Sequence, residues 1–144
     1  MTDPGANKTS WTDADCEAMG WHDCTIHGLR FEQDGEYQCD LVLDLDYITE
    51  WIETPDGSYE FRVAPAQLRF QNVDNLQAQV ALKFKQAAEI DDIIRASSHW
   101  MIKLHGYPGQ EVSQIEFDAT GYVQELSRPP ILVNRQSLTQ SERK

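Results

Sequence analysis

The segment Trp21-His22-Asp23-Cys24, followed by His27, gathers imidazole, carboxylate and thiol groups within seven residues. Imidazole and carboxylate together ligate divalent transition metals, or act as base and orienter for a reacting water. A nucleophilic triad of Cys24, His22 and Asp23 is excluded, because neighbours along a strand point to opposite faces. The pairs His22/His27 and His99/His105 match no zinc signature, and the cysteines form no C-x-x-C. His22 beside Trp21 reads first as a buried, hydrogen-bonded histidine that fixes the strand entry, the commoner role for a lone histidine near an aromatic. Cys24 and Cys39 read as small hydrophobes, Cys24 on the core face and Cys39 near its edge. The chain holds no Gly-rich phosphate loop, no G-x-S-x-G and no H-E-x-x-H.

Strands must position these groups. Residues 24–32 and 38–48 alternate apolar and polar side chains around Asp34-Gly35, a strong hairpin signal. With Asp34 and Gly35 as the two turn residues, Cys24, Ile26 and Gly28 face Leu45, Leu43 and Leu41. A third strand, 59–64, lays Tyr59, Phe61 and Val63 beside Leu45 and Tyr47. Asp23, His27, Asp44, Asp46 and Arg62 then emerge on the opposite face, with Asp23 across from Asp46 and His27 diagonal to Asp44. Asp23, His27 and Asp44 are thus candidate metal ligands. The same residues also read as a solvated face on which Arg62 pairs with Asp46.

Residues 1–9 are polar and read as a tail. Ser10 or Thr12 caps a short helix over 13–19, which Gly20 ends. Pro65 interrupts the third strand. Leu68 and Phe70 mark a fourth strand, and Val80, Leu82 and Phe84 a fifth. Residues 86–95 fit a helix or a strand, and their strand neighbours favour a strand. Trp100, Ile102 and Leu104 mark another strand. A last hairpin, 111–118 with 121–126, turns at Asp118-Ala119-Thr120-Gly121, and Ile131, Leu132 and Val133 follow Pro129-Pro130 as an apolar clip. The expected fold is mainly β: a single antiparallel sandwich or open barrel of seven to eight strands with a short N-terminal helix. Its parts are a tail and helix over 1–20, the β domain over 21–133 and a frayed tail over 134–144.

The 144 residues include 12 basic and 24 acidic side chains, a net charge of −12. Up to Leu126 there are 8 basic and 23 acidic residues, net −15, and the remainder carries +3. Such a body repels nucleic acids and anionic membranes and attracts basic proteins. Asp44, Asp46, Glu50, Trp51, Asp56 and Glu60 gather near one hairpin end, with Tyr47 and Tyr59 adding aromatic surface, and form the candidate partner-binding set. No apolar run has the length of a membrane span, and no signal-peptide pattern opens the chain. Three cysteines cannot all pair, which predicts reduced thiols and a cytoplasmic protein without cofactor.

Several segments carry a resemblance. These are Trp21-His22-Asp23, Leu41 to Tyr47 with Glu50-Trp51, Phe61 to Ala66 and Phe70-Gln71-Asn72-Val73. The chain resembles small bacterial proteins of a domain-of-unknown-function type. Its opening His-Asp is similar to that of immunity proteins of polymorphic-toxin systems, the immunity protein 50 type. The resemblance implies neutralisation of a toxin by binding and carries over no catalytic residue. The leading expectation is a non-enzymatic, cytoplasmic domain that binds a basic protein through its acidic surface. The alternative is a small divalent-metal-binding protein or metal-dependent hydrolase using Asp23, His27 and Asp44. A ligand-binding barrel is the third.

Overall fold

A computed structural model describes residues 8–33, 35–81, 88–105 and 113–144. Its elements are β1 (Ser10–Thr12), a 3-10 helix (Asp13–Ala18), β2 (Thr25–Gln33), β3 (Cys39–Glu53), β4 (Tyr59–Gln71) and β5 (Asp74–Gln79). There follow β6 (Ala88–Ala96), β7 (His99–Leu104), β8 (Ser113–Asp118), β9 (Gly121–Leu126), β10 (Ile131–Val133) and α1 (Gln140–Arg143). The protein is mainly β, as the alternation predicts. Among the described residues ten strands, rather than seven or eight, form one open antiparallel sheet in the order β1-β9-β4-β3-β2-β6-β7-β8-β5, with β10 also on β4.

The expected N-terminal helix is only a 3-10 turn. Thr12 caps it through its hydroxyl, and the Asp15 carboxylate accepts from the Thr12 N–H at 2.9 Å. Such short runs end within a few residues because their hydrogen-bond geometry is poor.

The β2–β3 pairing departs from the predicted register. Leu43 faces Leu29, Leu41 faces Phe31 and Asp46 faces Thr25, with a bulge at His27. The connection is wider than two residues, since Gln33 pairs with Cys39. Asp34 lies outside the described residues. In β3–β4, Phe61 faces Trp51 and Tyr59 faces Glu53, not Leu45, and Arg62 faces Glu50 rather than Asp46. A bulge at Thr49 contributes to the offset.

Pro65 does not break β4. The strand borders β10 up to Val63 and β9 from Ala66, so Pro65 stands where one neighbour gives way to the next. Its missing N–H therefore costs no ladder bond on that side, and its carbonyl accepts from the Ser127 N–H at 2.7 Å. Residues 88–96 are a strand; Gln86 and Ala87, like Leu82 and Phe84 of the expected fifth strand, lie outside the described residues. The predicted final hairpin is not one: β8 pairs with β5 and β7, whereas β9 pairs with β4 and β1.

The sheet folds back so that its two limbs share one core. Phe70 of β4 meets Phe117 of β8 at 4.8 Å and Trp100 of β7 at 5.4 Å, between ring centroids. Leu41, Leu43, Leu45, Leu68, Ile90 and Ile102 are fully buried in the same cluster. Each such side chain contributes about 1.5–3 kcal/mol relative to exposure. The C-terminal residues dock instead of fraying. Leu138 is buried, and its N–H donates to the Asp46 carboxylate at 2.8 Å. Among the described residues no helix is long and apolar enough to cross a membrane.

Candidate functional site

The sheet distributes the sequence-predicted site residues among separate settings. Asp46 was expected at the surface but is fully buried. It accepts from His27 Nε2 at 2.7 Å, from the Leu138 N–H and from the Arg143 guanidinium. Its face of β3 is covered by the C-terminal segment, so Asp46 is absent from any partner surface. His27 is consumed by that contact. Asp44 pairs with Arg30 at 2.9 Å, and Arg30 also holds Glu32. Arg69 completes the ladder by pairing with Glu32 at 2.6 Å and Asp40 at 3.1 Å. Arg30, followed by Arg69, holds the Glu32 carboxyl below its usual range. Asp23, His27 and Asp44 therefore have different partners and do not converge on one ion.

Asp23 has other company. His105 Nε2 lies 2.7 Å from Asp23 Oδ1, and His22 Nε2 lies 3.5 Å from the same oxygen. The Gln136 amide donates to Asp23 Oδ2 at 3.0 Å. His22 is exposed, contrary to its expected burial, while Trp21 is buried and donates from Nε1 to Gln124 Oε1 at 2.8 Å. The sequence marked His22 and Asp23, but His105 joins them only because the end of β7 and the start of β2 flank the same stretch of β6. Cys24 lies in the core as predicted, where burial pushes its thiol up to about 12.

The β3–β4 hairpin continues beyond the reach of β2, whose pairing with β3 stops at Asp46. From Tyr47 to Glu53 that edge of β3 has no strand beside it among the described residues, while β4 gains β10 opposite Phe61 to Val63. The hairpin end is therefore an arm. Trp51, Glu53, Tyr59 and Phe61 share one face, because residues directly opposed across a strand pair point the same way. Trp51 is 45% exposed and Tyr59 48%, with the Phe61 ring buried at 7% beneath them. The Trp51 ring stands edge-on to Phe61 at 5.0 Å and to Tyr59 at 6.2 Å. On the same face Ile131 of β10 is 39% exposed, opposite Val63.

The loop at the tip is braced. Asp56 accepts from the Ser58 hydroxyl at 2.6 Å, the Ser58 N–H at 3.0 Å and the Thr54 hydroxyl. These donors hold its carboxyl down at about 2. Gly57 has φ +86°, a left-handed conformation that glycine adopts without strain. Asp56 thus shapes the tip. Glu50 pairs with Arg62 at 3.0 Å. Glu53, a residue outside the predicted set on the Trp51 face, and Glu60, opposite Ile52 on the other face, have no cation partner among the described residues. Tyr47 is turned away from this surface, buried against Trp11 at 5.1 Å.

One cavity of about 500 Å³ lies between β2 and β5, lined by Leu29, Phe31, Leu76, Val80, Leu104 and Ile115 among others. Among the described residues, the one ionisable side chain in its lining is His27, whose Nε2 is engaged by Asp46. Nothing polar is placed to orient a ligand there. Comparison with family models, curated proteins and solved structures finds no match for this chain.

Proposed function

We propose that the protein is a non-enzymatic binding domain that docks a basic protein on the tip of its β3–β4 hairpin. The observation that carries this reading is the aromatic pair Trp51 and Tyr59, each nearly half exposed over a buried Phe61, on a chain of net charge −12. Exposed tryptophan and tyrosine on a supported platform are the side chains that anchor protein interfaces most strongly. Phe61 and the opposed strands fix the two rings, so docking sacrifices little side-chain freedom. Glu53 supplies an unpaired carboxylate on the same face, suited to a lysine or arginine that also stacks on the Trp51 face, whereas Glu60, opposite Ile52, stands on the other face of the arm. Glu50 and Asp56 support the arm, and Asp44 and Asp46 belong to the body. A basic toxin has this chemistry, in keeping with the resemblance to immunity proteins.

Affinity capture from the source organism at low salt tests the reading, with the chain compared against a Trp51→Ala/Tyr59→Ala double variant. The wild type is expected to retain a basic protein, and the double variant to lose it. Removing two interface anchors costs at least about 2 kcal/mol, some thirtyfold in affinity. Ile94→Ala, at an exposed site on β6, leaves retention unchanged. Failure of the wild type to retain any partner, or equal retention by the double variant, rejects the proposal.

A further inference from the structure

We infer that His22, Asp23 and His105 form a binding site for one divalent first-row transition metal ion, zinc foremost. One ligand atom from each residue lies within 4.8 Å of the others. The backbone brings them together from both ends of the β2–β6–β7 junction. The Asp23 N–H donates to the Ile90 carbonyl at 2.8 Å, and the His105 N–H to the Glu89 carbonyl at 2.9 Å. Two successive carbonyls of β6 thus clamp the residues that face each other.

Hydrogen bonds around the cluster prepare the ligand atoms of His22 and Asp23. His22 Nδ1 lies 3.0 Å from the Asp91 backbone carbonyl, so in the neutral ring the proton sits on Nδ1. The Nε2 lone pair is then directed at the cluster. This is the arrangement that orients metal-bound histidines generally. Gln136 occupies Asp23 Oδ2, leaving Oδ1 as the oxygen that both imidazoles face. The Asp91 carboxylate lies 3.6 Å from His22 Nδ1 and 3.8 Å from His105 Nδ1, on the outer side of both rings. It adds negative charge without competing for the ligand positions.

The ligand chemistry selects the ion, and the spacing comes close to what it needs. Zinc bonds of about 2.0–2.2 Å in a tetrahedron place ligand atoms about 3.3–3.6 Å apart. His22 Nε2 is already 3.5 Å from Asp23 Oδ1. His105 Nε2, at 2.7 Å, is at hydrogen-bond distance and must open by under about 1 Å as the ion replaces the shared proton. Two imidazoles with one carboxylate select zinc and its first-row neighbours over calcium or magnesium, which prefer oxygen throughout. With His22 and His105 partly exposed, the remaining coordination is open to water.

The full chain titrated with Co²⁺, followed by visible absorption, and with Zn²⁺ by calorimetry tests the site. The expected result is one ion per chain with cobalt d–d bands. Affinity falls more than about tenfold in each of His22→Ala, His105→Ala and Asp23→Asn, since even residues that merely orient ligands change it by that much. Asn tolerates the positive φ of 65° at position 23, and circular dichroism confirms that each variant is folded. His99→Ala, at an exposed histidine paired with Asp118, binds as the wild type does. No saturable binding, or binding that His22→Ala and His105→Ala leave unchanged, overturns the inference.

Discussion

At the residue scale the decisive group is Asp46. A carboxylate at zero exposure persists only when its charge is compensated, and here three donors converge on it: His27, Arg143 and the Leu138 N–H. Removing one partner of a buried ion pair costs about 3–5 kcal/mol, because the other charge is stranded. Arg143→Ala should fall at the lower end of that range, as two donors remain on Asp46. Asp46→Ala should fall higher, since it strands Arg143 and His27 together. Equilibrium urea unfolding measures both, and a loss below 1 kcal/mol in each would show that the C-terminal segment is not anchored here. The leucine–aspartate alternation of β3 read as a half-solvated strand, which was right for Asp44 and wrong for Asp46. Alternation reports that two faces differ, but not whether water or another segment covers the polar one. The covering group, Arg143, is 97 residues away, beyond the reach of any local pattern.

At the scale of elements, strand existence was legible where apolar residues recurred at period two, as in β2, β3, β4 and β7. Registers were not. The bulges at His27 and Thr49 each insert one residue, and one residue moves every later side chain to a new partner. Asp118 and Gly121 did mark a turn, but turn chemistry does not say which strands it joins, and β8 and β9 separate into different limbs. The β7–β8 register makes a further prediction. It brings His99 opposite Asp118, with Nδ1 2.9 Å from the carboxylate and Glu116 beyond at 3.6 Å. Asp118, followed by Glu116, raises the His99 pKa, while Asn75 and then His99 lower that of Asp118. The sign follows. The raised His99 pKa contributes stability below the ordinary histidine value, and that contribution is lost as pH rises through the folded value. On the acid side, the Asp118 contribution is lost as pH falls through its lowered folded value. NMR titration should find His99 above the ordinary histidine pKa and displaced downward in Asp118→Asn. An unchanged midpoint in that variant would show that the pair does not form in solution.

For the whole molecule, the order β1-β9-β4-β3-β2-β6-β7-β8-β5 fixes how stability is distributed. From Leu41 to Asp46, β3 has β2 on one side and β4 on the other, with its leucines in the shared core. From Tyr47 to Glu53 the same strand loses β2, and toward the tip its side chains become exposed. One continuous strand therefore passes from the best protected part of the sheet to one of the least. Local opening follows buried apolar contact, so amide exchange should divide β3 near the Thr49 bulge. Amides of residues 41–46 and of the facing 66–70 should exchange only by global unfolding. Those of 50–53 and 59–60 should exchange by local opening at a lower free energy. Native-state hydrogen exchange in low urea resolves the two classes by the slope of their opening free energies against denaturant. Uniform protection along β3 would mean that the arm is part of the cooperative core. Opening at the tip would leave intact the core on which the Asp46 anchor and the His22–Asp23–His105 cluster depend, because both sit where β3 and β6 lie inside the sheet.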